Sequence, residues 1–477
     1  MRLLLNTIDQ RCNQDNLPFP HHCDVTMTAT TKSPADPGLI GAAIFFFAMV
    51  FFQGQTFERL YDSGQHDLRA YMACAHDMVA GRHIYKTRHR VIPESPILNN
   101  NVPPYVYPPL LGVILIPATT TSYQTFKHVW FFLNFFFVLH GIFLAVSILP
   151  FGPKRSIAFL MVSGVMLGSN MFHWLLHAAQ VDAFSIWLST LSLWLFNRKK
   201  WIASAMIICV AAWIKVTPGL FLIYLLTRGT RRFFLYATFS GIALGLIQFV
   251  TFPDEFLYFF HKTLFQKMPS PTRAPIMQSL WSLSELLVVP SNDTKIFNAP
   301  NQFHTLLSAM KTIVVFFAVA VLFRKRRGKT GRFLGFAVCG SVSVLITDMS
   351  WMMRFVWNFI SIAAILHVIS RPAKTWQKWL LIPVGVFFIL LNLEFVWKGA
   401  LGDLHGWKAI FSAGPGLFAL FSTIFMGTVC IIHSTWSPPV QWIIEFYKKR
   451  KTGSVPKPSL NATNARNIKT ISRETIQ

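Results

Sequence analysis

The chain has 477 residues, of which 53% are hydrophobic, 15% aromatic and 13% charged, about half the charge usual for a soluble domain. A mean hydropathy of +0.44 excludes a disordered chain, a collagen-like chain and an ordinary cytosolic enzyme. The net charge of +25 is divided among short clusters beside apolar segments, so membrane topology explains it and nucleic-acid binding does not.

Residues 1–37 are polar, with Pro18, Pro20, Pro34 and Pro37 and no apolar periodicity. They read as a disordered cytosolic N-terminal tail; Met27 offers an alternative start. Gly38–Phe52 is uncharged and reads as the first span, since only a helix satisfies its own backbone in hydrocarbon. A polar outer loop follows over 53–106. Within it Leu68, Tyr71, Met72, Ala75 and Val79 recur every three or four residues, which predicts an amphipathic helix over 67–80 lying on the bilayer. Gly81 would stop that helix. Asp67 stands at its start, where two readings compete: a helix N-cap, or a carboxylate kept ionised for chemistry. Tyr105-Val106-Tyr107-Pro108-Pro109 closes the loop, and paired prolines start the next helix cleanly. Tyr105 and Tyr107 also suit plain interfacial aromatics.

Further apolar segments lie at 107–122, 126–149, 156–174, 181–197, 201–213, 217–227, 233–252, 305–323, 332–348, 352–370, 378–397 and 410–434. The cations Arg198-Lys199-Lys200, Arg228/Arg231/Arg232, Arg324–Lys329 and Lys448–Lys451 just beyond such segments mark the cytoplasmic side, and they also attract anionic lipid. The loop 253–304 is then outside, and the runs flanking Lys215 become short half-crossings, in and back. The domain organisation expected is a transmembrane domain over 38–434 and a basic cytosolic tail over 435–477. An all-α, polytopic bundle of about 12 spans results, with short broken helices near the outer face. One conflict stands: 13 segments are present, whereas two cytosolic ends require an even number. Either 107–122 or one of the short pair fails to cross.

Six cysteines, Cys12, Cys23, Cys74, Cys209, Cys339 and Cys430, are scattered without metal-type spacing, and one outer Cys makes no disulfide framework. His66, Asp67, His76 and Asp77 form no convincing ligand set, so no metal or other cofactor is expected. Ionisable groups within or beside apolar segments are costly and mark cavities or pathways. They are Asp182, Lys215, Asp348, Arg354 and Glu394. Lys215 precedes Pro218 and Gly219 at a helix break, which suits an anion site; snorkelling to the interface is the bland alternative. Asp182 is either functional or simply solvated, and Asp348 with Arg354 can form a plain ion pair.

These pieces, in this order, resemble the GT-C class of membrane glycosyltransferases and, more narrowly, glycosyltransferase family 87, the polyprenyl-phosphate-mannose-dependent mannosyltransferase-like proteins. Asp67, Tyr71, Gly81 and Tyr85 match the family's first outer loop, and Tyr105–Pro109 its Tyr-x-Tyr-Pro-Pro-like element. Ala179-Gln180-Val181-Asp182 partly matches Gly-Gln-hydrophobic-Asn. Lys215–Pro218 matches Lys-x-x-Pro, Met277-Gln278-Ser279 an Asn-Gln-Ser-like element, and Ser350–Arg354 a Ser-Trp-x-x-His-like one. The departures are Ala179 for Gly, Asp182 and Met277 for Asn, and Arg354 for His.

The resemblance implies an inverting hexosyltransferase that uses a polyprenyl-phosphate sugar donor and a lipid or glycan acceptor. It further implies a multi-pass protein of the bacterial plasma membrane, active on the outer face. On the same footing Asp67 is the catalytic base, and Lys215 and Arg354 bind the donor phosphate. Tyr107, Gln180, Gln278 and Ser279 contact sugar or acceptor. The rival class is a transporter or flippase for an anionic lipid or small molecule, which usually keeps its groups near the midplane of duplicated halves. Here the polar groups gather at one face, which favours the enzyme.

Overall fold

A computed structural model describes residues 36–62, 66–85, 105–264, 280, 301–325, 328–346, 352–370, 414–432 and 435–436. These form α1 (Pro37–Asp62), α2 (His66–Val79), α3 (Pro109–Ile114), α4 (Tyr123–Ile148), α5 (Arg155–Leu167) and α6 (Asn170–Ala178). Next come α7 (Asp182–Asn197), α8 (Trp201–Ile214), α9 (Gly219–Arg228), α10 (Arg231–Thr251) and α11 (Pro253–Tyr258). The last are α12 (Asn301–Phe323), α13 (Gly328–Leu345), α14 (Asn358–Ile369) and α15 (Gly414–Ile432). Short 3-10 turns cover Ile116–Thr120, Gly152–Lys154 and Met352–Trp357, and a π turn covers Phe259–Leu264. Among the described residues the strands are two residues each, Arg324–Lys325 against Thr435–Trp436.

Among these residues α4, α10 and Thr305–Phe323 of α12 are long and apolar enough to cross a membrane. The pair α5 and α6, bent by 61° at its break, makes a fourth crossing if taken as one span. The protein is an integral membrane protein with an all-helical body. Caps place the helix starts: Ser122 Oγ accepts from Thr125 N–H before α4, Ser169 Oγ from Phe172 N–H before α6, and Thr230 Oγ1 from Phe233 N–H before α10. Helix α10 turns Phe239, Ile242, Leu246, Ile247 and Val250 outward, a face suited to lipid.

The segment 107–122 does not cross. It is a six-residue helix followed by a five-residue 3-10 turn, far below the roughly 20 residues a span requires. Pro108 and Pro109 fix where the short helix starts, and Pro117 stands in the first turn of the 3-10 segment that replaces its continuation. Helices α8 and α9 have 14 and 10 residues, about 21 and 15 Å long, and they meet at Lys215–Pro218. The expected 378–397 segment, the tails 1–35 and 437–477, and most of 265–300 lie outside the described residues.

The expected helix over 67–80 forms as α2, but it is not laid on a surface. Leu68 to Ala75 and Asp77 are all buried, packed by α3, α6 and the turn Ile116–Thr120. Small side chains on its second face, Ala70, Ala73 and Cys74, let neighbours come close. At Gly112 of α3 an added Cβ would stand 2.6 Å from Cys74 Sγ and 2.8 Å from Met78 Sδ. Spacing revealed one apolar face and could not reveal that the other is covered. Gly81 does end the helix, at φ +65°, where a residue without Cβ is favoured.

Two ends of the bundle differ in kind. At one, Arg198 lies 3.6 Å over the Trp194 ring, Arg332 Nε donates to Asn197 Oδ1 at 2.7 Å, and Arg228 donates to the Val321 carbonyl. This cationic end gathers the C-termini of α7, α9 and α12 and the start of α13. Because α7 and α8 form an antiparallel hairpin tied by Ser192 and Ser204, Asp182 and Lys215 meet at the opposite end.

Candidate active site at the end opposite the cations

Asp67 lies in the first turn of α2, inside the helix instead of capping it. Its Oδ2 is shut off from solvent and has no hydrogen-bond partner. Burial raises its pKa from 3.8 to about 7; Lys215 and Arg354 oppose that rise, and Asp182 adds to it. The structure therefore brings Asp67, Lys215 and Arg354 within electrostatic reach of one another. They come from α2, the α8–α9 break and the turn Met352–Trp357.

Lys215 caps α8 with extended backbone, φ −149° and ψ 134°. The chain leaves the helix there because Pro218 forbids its continuation. Its ammonium is 2.6 Å from Asp182 Oδ2, and it stands 5.4 Å from the centre of the Tyr107 ring. Neither snorkelling nor a solvated Asp182 describes this arrangement, since both groups are buried. The other carboxylate oxygen of Asp182, Oδ1, accepts from Trp357 Nε1 at 3.1 Å. Trp357 had no signal of its own in the sequence. It enters the site because it ends the 3-10 turn that also carries Arg354. Arg354 itself is half-buried.

A directional hydrogen-bond chain backs these charges. Val181 N–H donates to Tyr71 OH at 3.2 Å, Tyr71 OH to Tyr107 OH at 3.3 Å, and Tyr107 OH to Gln180 Oε1 at 3.0 Å. Burial foremost, with Asp67 contributing, pushes both tyrosine hydroxyls above their ordinary range, so they stay protonated donors. Tyr107 is thus a buried anchor more than an interfacial aromatic. Its carbonyl accepts from Tyr85 OH at 2.7 Å, and Tyr105 OH accepts from Gly112 N–H and donates to the Pro108 carbonyl. Ala179, which ends α6, sits in the left-handed region at φ 55°, and its carbonyl accepts from Trp130 Nε1 at 2.8 Å. That turn presents Gln180 and Asp182 to the site; for a residue with a Cβ the conformation costs about 1 kcal/mol or more.

Gln278, Ser279 and Asp348 lie outside the described residues. Among the described residues no three His, Cys, Asp or Glu side chains converge as a metal site would require.

The sequence model of glycosyltransferase family 87 matches residues 105–347. That range, just over half of the chain, holds Tyr107, Gln180, Asp182 and Lys215; Asp67 precedes it and Arg354 follows it. None of the curated proteins matches the chain.

Proposed function

Since the chain belongs to glycosyltransferase family 87, we propose that it moves a hexose, with mannose the expected one, from a polyprenyl-phosphate sugar to a lipid or glycan acceptor. The observation that carries this reading is Asp67: a carboxylate with a buried, unpartnered oxygen and a pKa of about 7, in the field of two cations. A general base performs best when its pKa lies near the working pH. In the reaction, Asp67 takes the proton of the acceptor hydroxyl as its oxygen attacks the anomeric carbon. The bond from that carbon to the phosphate oxygen breaks, its electron pair leaves with the polyprenyl phosphate, and configuration inverts.

Charge grows on the departing phosphate, where fixed cations stabilise the transition state. Lys215 and Arg354 fill that role. An ammonium has three N–H donors; Asp182 engages one, and two remain. Tyr107 and Gln180 supply a pre-set polar wall for sugar hydroxyls, and Gln278 and Ser279 are assigned to the same contact. The lipid-borne donor approaches at the end away from the cationic clusters, which the positive-inside tendency makes the outer face of a plasma membrane.

The test is Asp67→Asn in purified protein supplied with labelled polyprenyl-phosphate mannose. Loss of transfer by a factor of roughly 10² or more, with normal membrane yield, is expected. Turnover like the wild type would remove Asp67 as the base.

A further inference from the structure

The carboxylate of Asp182 has a peculiarity that the reaction above does not use. Both of its oxygens are committed, Oδ2 to Lys215 at 2.6 Å and Oδ1 to Trp357 at 3.1 Å. The three residues are almost fully enclosed, at 0%, 4% and 1% exposure. They belong to the start of α7, the α8–α9 break and the turn that carries Arg354. The indole is itself held flat, stacked on Phe221 at 5.1 Å and 20°, and Phe221 packs on Phe336 at 4.1 Å. A buried ion pair adds little stability over an apolar pair of the same size, so stability alone does not account for it.

We propose that Asp182 is a positioning residue for the donor: it fixes where the Lys215 ammonium and the Arg354 turn stand, and it keeps Lys215 from collapsing onto Asp67. The inference rests on the glycosyltransferase reading and adds to it a residue that never touches substrate. Two carboxylates, Asp67 and Asp182, share the field of Lys215, and Arg354 acts on both Asp67 and Lys215. Asp182 is the one that Lys215 bonds. Remove its charge, and the carboxylate next in the field of Lys215 is Asp67, the base. Lys215, Asp182 and Arg354, with the hydroxyls of Tyr71 and Tyr107, are the groups that face Asp67 across these elements. Through Trp357 the same carboxylate holds the turn Met352–Trp357 that also carries Arg354.

Two variants of the full chain in nanodiscs test this, Asp182→Asn and Trp357→Phe. They are read by affinity for a short-chain polyprenyl phosphate carrying no sugar, by the pH profile of sugar transfer, and by melting temperature. Asp182→Asn should move the acid limb of the profile to lower pH by at least about half a unit, because a negative neighbour is lost and Lys215 is released toward Asp67. It should also weaken the probe by about tenfold or more. Trp357→Phe keeps every charge and deletes the indole N–H along with part of the ring; it should weaken the probe by at least about threefold and raise the donor KM more than it lowers kcat, with the acid limb in place. A lowered melting temperature with an unmoved acid limb and unmoved affinity in Asp182→Asn overturns the proposal and leaves a structural ion pair. If that variant does not accumulate, Trp357→Phe decides alone, and unaltered affinity overturns it. Wild-type protein that binds the probe yet transfers no sugar would sink the donor reading, while the binding arm would still decide the role of Asp182.

Discussion

Asp67 and Lys215 show how placement decides what a charged residue does. Each looks like an ordinary membrane-edge charge in isolation, yet Lys215 is buried against Asp182, and Asp67 keeps a solvent-shielded, unpartnered oxygen in the field of Lys215 and Arg354. For Asp67 burial outweighs two cations, so its pKa rises to about 7 instead of falling. The sign of the consequence follows. A base must be ionised to act, so kcat/KM should climb with pH through about 7 with unit slope and then level off. A pH series on the wild type checks this, and a flat profile between pH 5 and about 8 would contradict it. The same shift bears on stability: with the folded value above the unfolded 3.8, this group favours the fold below about 4, and that contribution is lost as pH rises through about 7.

At the scale of elements, the breaks matter as much as the helices. The α8–α9 break delivers Lys215, the left-handed turn at Ala179 delivers Gln180 and Asp182, and the 3-10 turn delivers Trp357 with Arg354. Each break has a visible cause in Pro218, in the Trp130 bond to the Ala179 carbonyl, or in the clamp on Asp182. Helix α2 is held by close approach to α3, and Gly112 is where that approach is tightest. Gly112→Ala should therefore push α2 away and cost about 1–3 kcal/mol, with sugar transfer falling as Asp67 shifts. Adding Cys74→Ala makes room on the facing helix and should recover much of both. Melting temperature and turnover of the single and double variants measure this; no recovery in the double would mean that the contact with Cys74 does not set the position of α2.

For the whole molecule, the separation of the cationic end from the Asp67 end gives the bundle a direction. If the cations face the cytosol, Lys199, exposed just after α7, and Asp254, exposed at the start of α11, lie on opposite sides. With native cysteines replaced, Asp254→Cys should react with an impermeant maleimide in intact cells and Lys199→Cys only after permeabilisation. The reverse pattern would put the site inside and exclude a donor presented on the outer face. The membrane class, the all-helical fold, the family, the helix over 67–80 and its stop at Gly81 were legible in the sequence, because hydropathy, charge clusters, glycine and motif order are local properties of the chain. That 107–122 falls short of a crossing, that α2 is enveloped, and that Asp182 joins Lys215 to Trp357 were not, since these depend on which surfaces meet. Trp357 is 175 residues from Asp182, and no periodicity links the two; only the packing of α7 against the turn after α13 makes an indole N–H the partner of a carboxylate that hydropathy alone would have left in water.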